Sequence, residues 1–176
     1  MATRRKIAPC LWFDGNAEDA VAFYVTLFPD AEVTQISHYG EGMHFSAGTA
    51  LLVEFTLFGQ RFQALNGGPE YLFSEAISLS IDCKDMAEVT YYWDALTADG
   101  GEERQCGWCK DKFGVSWQVV PAGLGALLSD PDEGRRVRGG AGDDGHEKAR
   151  PRCHATGGGS SGLNRGTQPH PRLVSR

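Results

Sequence analysis

The stretch Gly107–Pro121, GWCKDKFGVSWQVVP, indicates how this chain folds, because it reads as two β-strands joined by a tight turn. Asp111–Gly114 supplies the turn, and Val115–Val120 is a run of β-branched and aromatic residues. Side chains alternate across a strand, so Trp117 and Gln118 point to opposite faces. One face is apolar and the other is mixed. This pattern is typical of a strand that covers a core on one side and borders a wetter space on the other.

The arrangement strand, helix, strands occurs twice along the chain. Ile7–Phe13 and Ile77–Cys83 each predict a strand, and a segment with apolar residues at helical spacing follows each of them. Phe23 in the first helix and Tyr92 in the second lie 69 residues apart. A repeat of this length is typical of two copies of one supersecondary unit packed as a single domain. Three more strands are expected in the first copy, at Val33–Tyr39, Ala50–Phe58 and Arg61–Leu65.

Length and charge limit the classes of protein that fit. A chain of 176 residues is long enough for one domain with a core. Residues 1–132 carry 8 basic and 19 acidic side chains, a net of −11, so no specific nucleic-acid partner is expected. No apolar run reaches the roughly 18 residues of a membrane span, and the N-terminus lacks the apolar segment of a secretion signal. We therefore expect a cytoplasmic protein with no membrane partner.

Three stretches together carry a family resemblance: CLWFDGNAEDAVAFYVTLFPDAEV (Cys10–Val33), FTLFGQRFQALNGGPEY (Phe55–Tyr71) and CGWCKDKFGVSWQVVP (Cys106–Pro121). With the repeat, they make residues 7–132 resemble the PhnB-like branch of the vicinal oxygen chelate superfamily, which includes glyoxalase I, bleomycin-resistance proteins and extradiol dioxygenases. The resemblance implies an α+β fold of paired βαβββ modules, at about residues 7–68 and 75–121, whose curved sheets enclose a cavity. It also implies a homodimer.

The resemblance also locates the positions that hold a divalent metal in metal-dependent relatives. Those relatives carry His or Glu ligands at four inward strand positions, which correspond here to Pro9, Glu54, Ala76 and Gln118. Only Glu54 is a strong donor, whereas a catalytic metal site needs about three strong protein ligands. We therefore predict a pocket without a metal or other cofactor.

Two other groups of residues are weaker metal-ligand candidates. His38 and His44 lie beside and within a glycine-rich loop, but neither has a partner at ligand spacing. Cys106 and Cys109 have the spacing of half a zinc site, but no second pair completes it. Ordinary loop and strand roles are the favoured interpretation for all four.

Alternation along the strands from the four aligned positions predicts a mixed inner face that suits a small organic ligand. The predicted ligand-binding residues are Pro9, Leu11, Phe13, Leu52, Thr56, Ala76, Ser78, Trp108, Ser116 and Gln118. The opposite set is apolar at every position and predicts the core under the helices: Val53, Phe55, Leu57, Ile77, Leu79, Ile81, Val115, Trp117 and Val119.

Glu54 is the candidate catalytic residue. A carboxylate that faces a partly apolar cavity with no cation beside it holds a proton more readily, which suits a general acid or base. The alternative is that Arg61, across the turn, or a water molecule satisfies this carboxylate at the rim of the pocket. The sequence favours neither interpretation.

The leading hypothesis for function is a small-molecule-binding protein of the PhnB-like kind, with a metal-independent enzyme as one form of that function. A non-catalytic binder that sequesters a compound is the alternative, as bleomycin-resistance relatives are. A third possibility comes from the name 3-demethylubiquinone-9 3-methyltransferase, which similar proteins often carry. No glycine-rich loop follows a strand in the way that a nucleotide-like cofactor needs.

The two ends of the chain differ from the body. Residues 1–6 are polar and basic and are expected to fray. Residues 133–176 contain ten glycines, no aromatic residue and 9 basic against 4 acidic side chains, a net of +5. This composition cannot bury enough apolar surface to fold and predicts a disordered basic tail.

We hypothesise that the reading frame changes near Asp132. Asp143–His154, DDGHEKARPRCH, can be encoded so that reading one base later gives MMGMKKLDLAAM. The resemblance implies a C-terminal helix with a Met-rich, Lys-Lys segment at this place. The coding DNA is therefore expected to contain that segment in the shifted frame. Stop codons in that frame, or a frame without the Met-Lys-Lys codons, contradict the hypothesis.

Overall fold

The computed structural model describes residues 6–122, so residues 1–5 and the whole of the proposed frame-changed tail lie outside the described residues. The elements in chain order are β1 (Cys10–Phe13), α1 (Ala17–Leu27), β2 (Glu32–His38), β3 (Ala50–Leu57), β4 (Gln60–Asn66), β5 (Leu79–Cys83), α2 (Met86–Thr97), β6 (Glu102–Glu103), β7 (Trp108–Lys110) and β8 (Ser116–Pro121). No helix in this part of the chain has the length and apolar character needed to cross a membrane.

Two four-stranded sheets repeat one topology. The strand order is β1-β4-β3-β2 in the first sheet and β5-β8-β7-β6 in the second. The parallel pairs are β1 with β4 and β5 with β8, which are the first and last strands of each sheet in chain order. All other neighbouring strands are antiparallel. A parallel pair needs a long connection, which in each sheet runs through the helix and the two intervening strands. The predicted pair of βαβββ modules is confirmed.

The two helices begin in different ways. Asp85 caps α2: its Oδ1 accepts a hydrogen bond from the Glu88 backbone N–H at 2.9 Å. Asn16 is the N-cap of α1, but its side chain makes no capping hydrogen bond. The fully buried Asn66, at the end of β4, replaces it: Asn66 Oδ1 accepts from the Ala17 N–H at 2.9 Å. The start of α1 is therefore fixed by a residue distant in sequence.

The core lies on the helix-covered side of both sheets. Seven of the nine predicted core residues are buried there, namely Val53, Phe55, Leu57, Ile81, Val115, Trp117 and Val119. Leu79 is half-buried and packs against this cluster. Ile77 is 78% exposed, so its core assignment is wrong. The physical reason is that β5 begins at Leu79, and the alternation of faces does not extend to residues before the strand.

The predicted assignment of the β1 side chains to the two faces of the sheet is also wrong. Leu11 and Phe13 belong to the buried core cluster and not to the face that carries Glu54. The register pairs Cys10 with Gln63, and Gln63 with Glu54, so Cys10 occupies that face. The sequence CLWF is apolar on both faces, so alternation within it does not set the phase.

The positions aligned with Pro9 and Ala76 both precede their strands. Pro9 is exposed and lies before β1, although its carbonyl accepts a hydrogen bond from the Gln63 N–H at 2.9 Å. Ala76 is exposed in the turn before β5. Neither residue is part of a sheet face, so their expected place on the inner face is wrong.

Asp111 joins the two modules. This carboxylate, 2% exposed in the turn between β7 and β8, accepts hydrogen bonds from Tyr24 Oη at 2.7 Å and from Trp117 Nε1 at 2.8 Å. Tyr24 belongs to α1 of the other module, and its ring packs on both Phe55 and Trp117. The junction between modules is thus an aromatic core with one buried carboxylate at its centre.

Asp111→Ala is expected to destabilise the protein by at least about 3 kcal/mol, because it leaves several buried donors without an acceptor. Asp94→Ala, at an exposed position of α2, is the control and is expected to change the free energy of unfolding by less than about 0.5 kcal/mol. Urea unfolding followed by circular dichroism measures both. Equal stability of the two variants contradicts the role given to Asp111.

Candidate functional site

A polar cluster lies on the face of the first sheet opposite α1. Glu54 on β3 and Gln63 on β4 are cross-strand partners, and Gln63 Nε2 donates to Glu54 Oε1 at 3.1 Å. Arg61 Nη1 lies 3.3 Å from the same oxygen. The side chains of Arg61 and Glu54 are 22% and 15% exposed. The structure therefore brings a carboxylate, a guanidinium and an amide together on one half-buried patch.

The hairpin between β3 and β4 creates this cluster. Phe58 and Gly59 form its two-residue turn, both with positive φ, which is typical of tight hairpins. The turn places Arg61 directly opposite Thr56 and on the same face as Glu54. The alternative in which Arg61 satisfies Glu54 is the arrangement that the structure contains. The premise that Glu54 has no cation beside it is wrong.

Three of the predicted ligand-binding residues, Trp108, Ser116 and Gln118, lie on the corresponding face of the second sheet, and Ser78 lies just before β5. Gln118 Nε2 donates to Ser78 Oγ at 2.7 Å, so these two residues are in contact. Trp108 on β7 is the cross-strand partner of Gln118. Ser116 is 4% exposed, beside its cross-strand partner Lys110. Gln118, Ser78 and Trp108 are half-buried, and ligand contact at these positions stays a prediction.

Leu52 and Thr56 complete the predicted set on the first sheet. Both are half-buried and flank Glu54 on β3, with Leu65 and Arg61 as their cross-strand partners on β4. The first-sheet patch is therefore polar around Glu54 and apolar at Leu52. Such a mixture is typical of small-molecule sites.

A cavity of about 280 Å³ lies where β1, the linker between the modules and the β7–β8 turn meet. Its lining residues are Trp12, Phe13, Asp14, Asn16, Tyr71, Leu72, Phe73, Lys110, Phe113 and Gly114. Phe13 is the only predicted ligand-binding residue among them. Glu54 and Gln118 do not line this cavity.

The residues at the aligned metal positions do not fit a divalent ion. Glu54 is a strong donor, but Arg61 already contacts its carboxylate, and Gln118 donates its amide to Ser78. Within residues 6–122 no three His, Cys, Asp or Glu side chains form a group that could hold a metal. His44 packs edge-on against Phe45, and His38 is exposed at the end of β2. We derive no chemical step that uses a metal.

Sequence reasoning missed several residues of the site and its support. Gln63 and Cys10 were not predicted to share the face of Glu54, and Asp111 was assigned only to a turn. The alternation of β4, in which Arg61, Gln63 and Leu65 share one face, was an available signal for Gln63. No signal in the sequence identifies Asp111 as buried, because Asp is common in exposed turns.

The two-module fold with polar sheet faces opposite its helices defines a protein of the vicinal oxygen chelate class. A family profile described as 3-demethylubiquinone-9 3-methyltransferase matches residues 5–120. The structure of a PhnB protein from Bacillus cereus, described as a 3-demethylubiquinone-9 3-methyltransferase, is 33% identical, with a TM-score of 0.62. The match covers 67% of this chain and 100% of that one.

A second solved structure shares the fold. Protein PA1353 from Pseudomonas aeruginosa is 21% identical with a TM-score of 0.55, over 66% of this chain and 97% of that one. No curated protein matches the chain. The family profile and the PhnB structure show that this chain belongs to the PhnB-like 3-demethylubiquinone-9 3-methyltransferase family, as its sequence predicts.

The cysteines provide a chemical test of which face Cys10 occupies. Burial raises the pKa of Cys83 to about 11 and that of Cys109 to about 12, and both thiols are buried. Partial burial also raises the pKa of Cys10, but this thiol is exposed on the Glu54 face. Only the thiolate reacts with alkylating reagents, so both its exposure and its pKa favour alkylation of Cys10 over Cys83 and Cys109.

In the folded protein, iodoacetamide at pH 8 is expected to modify Cys10 many times faster than Cys83 or Cys109. Raising the pH should increase the rate at Cys10, because more of this thiol is ionised. Mass spectrometry of proteolytic peptides measures each site, and the urea-unfolded protein is the control in which the three rates converge. Fast modification of Cys109 in the folded protein contradicts the assigned burial.

Proposed function

We propose that this protein binds a small organic molecule on the polar sheet faces, at a site centred on Glu54, Arg61 and Gln63. The observation that supports the proposal is the contact of Arg61 and Gln63 with one oxygen of Glu54, on a half-buried patch opposite α1. Paired polar groups held at fixed positions beside apolar side chains are how small-molecule sites obtain specificity. Family membership supports the same class of function.

A binding role has more support than a catalytic one. A general base needs a carboxylate free to take a proton from the ligand, and Glu54 is engaged by two donors. Those contacts fix the carboxylate as an acceptor for a ligand N–H or O–H. Acid–base catalysis by Glu54 is the second candidate, and it requires the ligand to displace Arg61 or Gln63.

The homodimer implied by the family resemblance is part of the proposal. Several large apolar side chains are exposed in the isolated chain, among them Val33, Ile36, Leu72 and Ile77. Exposed apolar side chains are available for protein–protein contacts. Val33 and Ile36 lie on β2, an edge strand of the first sheet, so a second copy has apolar surface available there.

The methyltransferase in the family name has no specific support among the described residues. The two strand-to-helix connections, Asp14–Asn16 and Lys84–Asp85, contain one glycine between them, which is unlike a nucleotide-binding loop. S-adenosylmethionine is therefore a useful member of a ligand panel, since tight binding would favour this third function over the first two.

Thermal shift with a panel of carboxylates, phosphonates, amides, phenols and S-adenosylmethionine tests the proposal. At least one of these classes is expected to raise the melting temperature of the intact protein. For the homodimer, light scattering is expected to give a molar mass of about twice 19.1 kDa. Glu54→Gln should weaken the binding of that ligand by about tenfold, because a neutral amide replaces a charged hydrogen-bond acceptor. Asp94→Asn, on the exposed side of α2, should leave the affinity unchanged.

Two results contradict the proposal or redirect it. If no compound of any class stabilises the protein, the binding function is wrong. If a bound compound is converted to product, mass spectrometry detects the product, and loss of turnover in Glu54→Gln with retained binding identifies the enzyme.

A further inference from the structure

The cavity where β1, the linker between the modules and the β7–β8 turn meet is a second candidate site. Its volume is about 280 Å³, close to the lower end of the range for small-molecule pockets. Neither Glu54 nor Gln118 lines it, so it is separate from the polar sheet faces. Half of its lining residues are aromatic, namely Trp12, Phe13, Tyr71, Phe73 and Phe113.

Trp12 is held in a fixed position at this cavity. Its indole Nε1–H donates a hydrogen bond to the Gly68 carbonyl oxygen at 2.8 Å. The backbone of Gly67 lies against the same ring, so closely that a Cβ on Gly67 would overlap the indole. Tyr71 meets the Trp12 ring edge-on, with the ring centroids 5.0 Å apart. The tertiary structure therefore places one large, half-buried aromatic ring in the wall of the cavity.

The other aromatic walls join this cavity to the core. Phe73 packs edge-on against the buried Phe13, with the ring centroids 5.2 Å apart, and Phe113 packs on Phe23 of α1 at 5.9 Å. Tyr71, by contrast, is 67% exposed. A molecule in the cavity would therefore cover apolar ring surface that water contacts in the free protein, which favours binding.

The charges around the cavity favour a cation. Lys110 is part of the lining, but its Nζ lies 3.4 Å from Glu75 Oε1 and 3.9 Å from Glu102 Oε1. Arg104 pairs with the same two carboxylates, so this group of two basic and two acidic side chains is neutral. Asp14 also lines the cavity, and no ion pair joins it to another residue of the 6–122 range. The unbalanced charge at the cavity is therefore negative.

Asp14 and Asn16 supply hydrogen-bond acceptors beside the aromatic rings. Both belong to the short connection between β1 and α1, and both line the cavity. The Asn16 side chain makes no capping hydrogen bond to α1, so its amide oxygen is a second acceptor next to the Asp14 carboxylate. An ammonium group donates strong hydrogen bonds to a carboxylate, and aromatic faces attract its positive charge.

We propose that this cavity binds an organic cation, the protonated amine of a compound with a single aromatic ring. The ring of the ligand packs against Trp12 and Tyr71, and its ammonium group donates to Asp14. The inference goes beyond the proposed function, because it assigns a second site, with a ligand class of its own, away from Glu54 and Gln118.

Proton–nitrogen NMR of the intact protein tests the location, because each indole N–H gives its own signal. Trp12 reports on the cavity, and Trp108 reports on the polar sheet face beside Gln118. The two signals are assigned by their loss in Trp12→Phe and Trp108→Phe. Titration with benzylammonium at constant ionic strength is expected to shift the Trp12 signal saturably and the Trp108 signal little.

Benzyl alcohol and benzoate are the matched neutral and anionic probes for the charge of the ligand. Benzyl alcohol is expected to bind about tenfold more weakly than benzylammonium, because it lacks the charged donor. Benzoate should bind more weakly still, because its carboxylate faces Asp14. Binding of benzoate as tight as that of benzylammonium overturns the proposal, since Lys110 and not Asp14 would then select the ligand.

Variants test the role of Asp14. Asp14→Asn, at an exposed position, is expected to weaken benzylammonium about tenfold and to change the affinity for benzyl alcohol little. Asp94→Asn, on the exposed side of α2, is the control and should change neither. Full affinity for benzylammonium in Asp14→Asn, or a Trp12 signal that stays fixed in all three titrations, overturns the proposal. A saturable shift confined to Trp108 also overturns it, and would instead assign the cation to the sheet-face site of the proposed function.

Discussion

The buried carboxylate of Asp111 is the interaction on which the arrangement of the two modules depends. Besides Tyr24 and Trp117, it accepts hydrogen bonds from the backbone N–H groups of Phe113 and Val115, at 2.9 and 3.0 Å. Burial raises the pKa of this carboxyl, while the four donated hydrogen bonds act in the opposite direction. Burial and the neighbouring Asp111 raise the pKa of Tyr24 well above its usual range. Apolar contacts alone are non-directional, so this directional network is what fixes how α1 docks on the second module.

The position of the site follows from where the apolar surface is used. Each sheet turns its apolar face to a helix, and Tyr24 and Phe28 extend that core across the junction to Trp117. The other face of each sheet is left for polar groups, which pair within their own sheet. Glu54, Arg61 and Gln63 do so on the first, and Gln118 with Ser78 on the second. The candidate binding residues Glu54, Arg61, Gln63 and Gln118 thus lie on strands, which position side chains more firmly than loops do.

Particular residues show how far sequence reasoning reached. The alternation of β3 and β8 correctly separated Phe55 and Trp117 from Glu54 and Gln118, because one face of each strand is strictly apolar. It failed for Leu11 and Phe13, where apolar residues occupy both faces of a four-residue strand. The start of α1 also lay beyond local patterns, because the Ala17 N–H donates to Asn66, 50 positions after the N-cap residue Asn16.

The sequence by itself determined the two modules, their order of elements, the apolar faces of the long strands and the family, because these depend on local periodicity and on residues close together in the chain. Only the tertiary structure decided which polar groups meet. Cross-strand register places Arg61 and Gln63 on Glu54, and module docking buries Asp111 beneath Tyr24. Register and docking are set by contacts between residues far apart in sequence, whose joint packing no local pattern encodes.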